Sequence, residues 1–258
     1  MLTMQTKTTT DESDSRTLID SHELARRLSM SHKWVEKNRY RIAGAQSVED
    51  GGSAVMIDSP FIREGRAVSF PFGFAPTFHS YRLGEPQCLK KPSTIFVCSM
   101  ADLFGEWVPN EWIQQVFDDC AKAPQHRYLF LTKNSERYQL LSEKGILPYN
   151  NNCWFGATTE TPDRNAYFSK SCNNFLSIEP IQSVFDKIGG DALQWIKWVV
   201  IGAESGNRKD KVIPHREWID CIVNKCRDAG LPVFLKDSLI PIIGEENMIR
   251  EFPWEVKK

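Results

Sequence analysis

From residue 94 onward the chain repeats one pattern: a short run rich in β-branched and aromatic residues, a polar turn, then an amphipathic stretch. The runs are "TIFVCS" (94–99), "RYLFLTK" (127–133), "CWFGATT" (153–159), "NFLSIEP" (174–180), "WVVIGAES" (198–205) and "PVFLKD" (232–237). Between them lie the helical stretches "NEWIQQVFDDCAKA" (110–123), "SERYQLLSEK" (135–144), "TPDRNAYFSKSC" (161–172) and "HREWIDCIVNKCRDAG" (215–230). Strands apolar on both faces and joined by crossovers predict a parallel sheet, because hairpin-linked strands alternate polar and apolar. Six such units predict an α/β protein built as a barrel, or a partial barrel, rather than a hairpin-built sheet. Start and stop signals agree: Pro109 and Asn110 before one helix, Ser135 before another and Gly230 after the last.

The end of each run carries the chemistry. Ser99 and Asp102, Thr132 and Lys133, Thr158 and Glu160, Glu179, Glu204 and Ser205, and Lys236 and Asp237 all fall at carboxyl ends of expected strands. In parallel sheets and barrels that edge is where ligands bind. Any one polar strand end is ordinary, since a strand must become polar as it reaches water. A hydroxyl or ionisable group at every end, with acids and bases mixed, describes a polar pocket. The competing structural reading is a layer of salt bridges between Glu179, Glu204, Lys133 and Lys236 that only fills the mouth. His79 and His126 read as satisfied structural histidines, His215 as a helix cap, and the tryptophans as core.

Residues 1–15 are polar and read as a disordered tail. The stretch "TLIDSHELARRLSMSHKWVEKNRYRI" (17–42) places Leu24, Ala25 and Leu28 at helical spacing, then a turn, then Trp34 and Val35 opening a second helix. "AQSVEDGGSAVMI" (45–57) reads as two strands about an Asp-Gly-Gly turn. Residues 16–66 are therefore expected to form a winged helix-turn-helix, and 67–258 the barrel. Between residues 26 and 41 six cations stand against the single acid Glu36. That is a local basic surface of the kind phosphate contact needs. His32, Lys33, Lys37, Arg39 and Arg41 are the candidate DNA-binding residues, and DNA is the expected macromolecular partner.

Global composition excludes little. The formal net charge of the 258 residues is -1, so any nucleic-acid surface must be local. No run approaches the length of a membrane span and the first residues are polar, which makes a cytoplasmic protein with no membrane partner the expectation. The seven cysteines (88, 98, 120, 153, 172, 221 and 226) contain no CxxC pair. The closest two, five residues apart, would point roughly 140° apart on a helix. No metal site is expected from that spacing, and no catalytic residue is identified.

Two resemblances add to this reading. Residues 16–66 are similar to small winged helix-turn-helix modules of the excisionase and MerR-like kind. Residues 71–240 resemble a phage- and prophage-associated family of radical-SAM-like proteins with a three-cysteine motif. The matching phrases are "FAPTFHSYRLGEP", "IFVCSMADLFGEWVP", "HRYLFLTKNSERY", "CWFGATTE", "FLSIEP", "WVVIGAESG" and "VFLKD". The resemblance implies a partial (β/α)6 barrel, similar to a TIM barrel, that binds S-adenosylmethionine and a 4Fe-4S cluster at the carboxyl ends of its strands. It implies reductive cleavage of S-adenosylmethionine to a radical. By that likeness Ser99, Asp102, Lys133, Thr158, Glu179, Glu204 and Lys236 are the cofactor-binding candidates.

One departure governs the functional expectation. The family's cluster cysteines lie just upstream of the "PTFH" phrase, and residues 1–87 contain no cysteine. Three thiolates are the minimum for a cluster with one open iron, so the 4Fe-4S ligands the resemblance implies are missing. The favoured reading is a noncatalytic barrel with a DNA-binding head, or one dependent on a partner protein that supplies the cluster loop. The alternatives are an active radical enzyme acting on nucleic acid, with Cys88, Cys98 and Cys153 converging, and a ligand-sensing transcriptional regulator.

Overall fold

The structure is a computed structural model and describes residues 39–40, 54–68, 71–72, 75–98, 101–164, 166–188, 190–204 and 209–255. Its centre is a seven-stranded sheet of β1 (Arg39–Tyr40), β6 (Thr94–Val97), β7 (Arg127–Thr132), β8 (Cys153–Thr159), β9 (Asn173–Ile178), β10 (Ile196–Ile201) and β11 (Val233–Leu235). Every neighbouring pair is parallel and the spatial order follows the chain order without reversal. A sheet wound in one direction curls into a half-barrel, with an inner face and an outer, helix-bearing face. Smaller pieces precede it: β2 (Val55–Ile57) pairs in parallel with β5 (Thr77–His79), and β3 (Ile62–Arg63) with β4 (Arg66–Ala67) as a hairpin.

Alternation along each strand sorts the side chains between two cores. On the outer face Tyr128, Phe130 and Phe155 pack beneath α1 (Asn110–Ala121) and α2 (Glu136–Glu143). In α1 the buried residues Ile113, Val116, Phe117 and Cys120 recur at helical spacing and form one apolar stripe. Phe130 stacks on Phe155 at 5.2 Å, and Phe117 meets Phe130 edge-on at 5.3 Å. Ile178, Ile201 and Leu235 continue this face beneath α3 (Arg216–Asp228), which contributes Ile219, Ile222 and Cys226. That helix ends where Gly230 takes a φ of 66° and Leu231 N–H reaches back to Cys226 C=O at 2.8 Å. A left-handed residue of this kind is what closes a helix, and glycine adopts it without a Cβ clash.

After α4 (Ile240–Ile243) the chain returns antiparallel along the outer edge of β11, with Arg250 opposite Phe234. Glu251 clamps the return: it accepts both Arg227 guanidinium bonds, at 2.7 and 2.8 Å, and the Val233 N–H at 3.0 Å. These bonds hold the Glu251 carboxyl below the usual carboxylate range. Covering the last strand in this way removes an exposed sheet edge.

Two fold expectations are corrected. The full (β/α)6 alternation is not formed, because helices are few: residues 161–172, expected to be helical, are irregular among the described residues. One backbone group there is drawn into a tertiary bond instead, Tyr167 N–H on Ser135 Oγ at 2.9 Å, and the Arg164 guanidinium donates across to Lys133 C=O at 3.0 Å. The crossover from β9 to β10 likewise carries a 3-10 turn, Gly190–Trp195, rather than a helix. Among the described residues a winged helix-turn-helix is not seen either. Arg39 and Tyr40, within the stretch 17–42 expected to form the helix-turn-helix, are a strand paired with Phe96 and Val97 of β6. The physical reason is that the open edge of β6 offers unpaired backbone groups that outweigh local helical preference. The expected wing strand Val55–Ile57 pairs in parallel with β5, and the observed hairpin turns at Glu64 and Gly65, both with positive φ. The rest of the expected module, with His32, Lys33, Lys37 and Arg41, lies outside the described residues, as does the expected tail. Among the described residues no helix is long and apolar enough to cross a membrane.

Candidate functional site at the carboxyl rim

The inner face of the sheet is layered from bottom to top. At its amino end and middle it is aromatic: Trp154, Phe175, Trp198 and Phe234 form one cluster, closed from below by Phe252 and Trp254. Trp198 anchors that cover by donating its indole N–H to Glu251 C=O at 3.0 Å. The void left among these rings is only about 30 Å3 and is bounded above by Ser177 and Lys236. That is room for water rather than for a nucleoside, so a ligand belongs above this floor.

At the carboxyl end the same face turns polar, because β9, β10 and β11 each deliver an inward residue just past their last apolar one. Lys236 follows Leu235, is buried, and forms an ion pair with Glu179, which follows Ile178. Gly202 stands between them: a Cβ there would lie 2.8 Å from Glu179 Oε1 and 3.0 Å from Lys236 Cδ. The absent side chain at Gly202 is therefore what lets the two charges meet across β10. Backbone bonds hold the trio, with Gly202 N–H on Ile178 C=O at 2.9 Å and Lys236 N–H on Ile201 C=O at 2.9 Å. Thr158 is buried beside them at the end of β8, and Glu204 is half-buried just beyond β10. The neighbouring Ala203 N–H is fixed by Ser238 Oγ at 3.0 Å.

Lys133 and Asp102 occupy the other flank. Lys133 pairs with Glu160, and Arg164 approaches the same carboxylate at 3.7 Å. Asp102 is taken up by its own loop: Oδ2 accepts Thr132 Oγ1–H at 2.8 Å and Lys133 N–H at 3.1 Å, while Oδ1 accepts Phe104 N–H at 2.9 Å. Burial pushes the Asp102 carboxyl above its ordinary range, and these bonds together with the Lys133 charge oppose the shift. The loop begins where Cys98 turns out of the strand with a φ of 55°, and Ser99 lies outside the described residues.

A pH prediction follows from Asp102. A carboxyl whose folded pKa is raised contributes most to stability below its unfolded value, near 3.9, and that contribution is lost as pH rises through the folded value. Asp102→Asn has no such titration, and its amide N–H cannot accept the bond from Lys133. At neutral pH it should cost about 1–3 kcal/mol. The gap between wild type and variant should widen as the pH is lowered from neutral toward the unfolded value. Urea denaturation at several pH values measures it, and a gap that narrows on acidification would contradict the assignment.

The residues thus fall into two groups rather than one pocket of free charges. Glu179 meets Lys236, as the expected salt-bridge layer requires, and Lys133 meets Glu160, a partner outside that layer. Arg250 escaped the sequence reading: it pairs with Asp237 and lies over the Phe234 ring at 5.0 Å. Nothing in "NMIREFPWE" announces that role, which exists only because this segment docks on β11. A three-thiolate cluster does not fit this donor set. Cys98, Cys153 and Cys172 are buried in the outer core and Cys88 is exposed on the Pro86–Cys88 turn. Burial pushes the Cys153 thiol up to about 12, which disfavours the thiolate a metal requires. Among the described residues no three His, Cys, Asp or Glu side chains gather as a metal site.

No curated protein and no solved structure matches the chain. Residues 30–239 match a family described as protein of unknown function (DUF5131), and by that match over most of its length the chain belongs to this family.

Proposed function

We propose that the protein binds S-adenosylmethionine at the carboxyl rim of the half-barrel and does so as a noncatalytic binder, without an iron–sulfur cluster of its own. The ligand comes from the resemblance of residues 71–240 to phage- and prophage-associated radical-SAM-like proteins. The observation that supports it here is the ion pair of buried Lys236 with half-buried Glu179 beside Gly202, set above an aromatic floor at the edge where parallel sheets bind ligands. Carboxylates at Glu179 and Glu204 suit ribose hydroxyls or an amino group, and ammonium groups at Lys236 and Lys133 suit a ligand carboxylate. Thr158 fixes orientation. DNA is the proposed macromolecular partner on the charge of residues 26–41, and not on a helix-turn-helix.

Titration calorimetry with S-adenosylmethionine tests the reading. Wild type should bind, and Glu204→Gln should bind about tenfold more weakly, the loss of one charged hydrogen bond. Anaerobic reconstitution should leave no stoichiometric iron and sulfide on the chain. Absence of binding would refute the ligand, and a stoichiometric 4Fe-4S cluster would refute the noncatalytic reading.

A further inference from the structure

The amino-terminal edge of the sheet holds a second concavity that the rim does not use. The loops entering β6, β7 and β8 enclose about 340 Å3, with Ser93, Thr94, Gln125, Arg127, Asn151 and Asn152 in its wall. That is within the range of small-molecule sites. Unlike the aromatic void inside the half-barrel, its wall carries hydroxyls, carboxamides, an imidazole and one guanidinium, with Pro92 and Pro124 as its apolar part.

The wall is held rigidly from behind. His126 is buried; its Nδ1 accepts Ser93 N–H at 3.1 Å, and its Nε2 donates to Pro86 C=O at 2.9 Å. Those bonds place the proton on Nε2. Asn152 ties two loops together by donating to His126 C=O at 2.8 Å. Arg127 stands at the mouth of β7, where its guanidinium stacks on Trp254 at 3.9 Å and donates one N–H to Thr94 Oγ1 at 3.1 Å. A guanidinium has five donors in a fixed fork, and one held this way loses little freedom on taking up an anion. The charged group that acts on it is Glu255, an exposed residue beside Trp254.

We propose that this cavity binds a small monocarboxylate that carries hydroxyl groups. The Arg127 fork takes the carboxylate, a geometry in which guanidinium and carboxylate match in charge and shape. Gln125, Asn151 and Ser93 line the same wall and take the hydroxyls: Ser93 Oγ, which donates to Lys91 C=O at 3.0 Å, is left as an acceptor, and Gln125, whose Nε2 lies 3.1 Å from His126 Nε2, offers its carbonyl oxygen. One cation in the wall corresponds to one negative charge on the ligand. Glu255 is the acidic group whose field opposes an anion near Arg127.

Titration calorimetry of the full chain with sodium gluconate tests this, with acetate as charge without hydroxyls and glucose as hydroxyls without charge. Gluconate should bind saturably, and acetate and glucose each about tenfold more weakly or worse. Arg127→Met should weaken gluconate about tenfold or more, and Glu255→Gln should tighten it severalfold by removing the competing charge. Glu255 is exposed, so its variant stays informative even if the Arg127 variant does not fold. The proposal is overturned if wild type and Glu255→Gln give no saturable heat up to about 50 mM gluconate. It is equally overturned if glucose binds as tightly as gluconate, or if Glu255→Gln leaves the affinity unchanged. The site lies at the opposite end of the strands from the rim, so binding of S-adenosylmethionine neither supports nor weakens it.

Discussion

Lys236→Met should destabilise the protein by about 3 kcal/mol, the low end of the cost of breaking a buried ion pair, because the stranded Glu179 is only half-buried. Lys236 is 4% exposed, and its partner Glu179 sits on the adjoining part of the inner face, with Gly202 between them. Methionine fills nearly the same volume, so the loss is electrostatic rather than one of packing. The companion Lys236→Met/Glu179→Leu variant removes both charges and should recover most of the stability, because replacing a buried pair with apolar residues is often close to neutral. Urea denaturation at neutral pH measures both. A single variant within about 1 kcal/mol of wild type would show that the pair is hydrated and worth no more than a surface bridge. In that case the rim would be an open charged surface and not a closed pair with a ligand-facing side.

Phe104→Ala should cost a similar amount, about 3–5 kcal/mol, as large-to-small changes of a buried aromatic do. The Phe104 ring is wholly buried and lies 4.7 Å from Tyr138, 6.1 Å from Phe130 and 6.3 Å from Phe117. Its backbone belongs to the rim: the N–H holds Asp102, and the C=O accepts Asn134 Nδ2–H at 2.9 Å. The ring is therefore the anchor through which the outer core positions the loop after β6. Besides the loss in thermal stability, hydrogen exchange of the Phe104 amide should accelerate. A large loss of stability with unchanged exchange at Phe104 would show that the loop is held by Thr132 and Lys133 alone.

Much of the half-barrel was legible in the chain because parallel strands leave a strong local signature. "RYLFLT" and "CWFGATT" are apolar on both faces, and the runs between 94 and 235 all contain strands of the sheet. The helices that could be read, at 110–121, 136–143 and 216–228, carry a stripe of buried residues and a recognisable start. Residues 161–172 show the limit of that reading. Their composition tolerates a helix, yet Ser135, distant in sequence, claims the Tyr167 N–H a helix would need, and Lys133 C=O holds the Arg164 side chain. Arg39 and Tyr40 show the same thing at the sheet edge. A pattern of cations and small residues resembled a recognition helix, while an unpaired strand nearby drew the backbone into the sheet.

The site divides along the same line. That Asp102, Lys133, Thr158, Glu179, Glu204 and Lys236 would stand at one edge followed from their positions at strand ends, since parallel strands all finish on the same side. Which of them would pair did not follow, because partners are set by twist and register between strands: Glu179 reaches Lys236 across the side-chain-free Gly202, and Lys133 reaches Glu160 on its own flank. By itself the sequence determined a one-directional parallel sheet with a polar carboxyl rim and no closely spaced cysteines. Only the tertiary structure decided that the C-terminal segment would close the floor with Phe252 and Trp254, that Arg127 would be stacked and presented at the opposite edge, and that no full ring of crossover helices would form. The reason is physical: periodicity and chain order act locally, whereas these contacts join residues far apart in the chain, whose competition for the same backbone groups and apolar surface is resolved only when the whole sheet is in place.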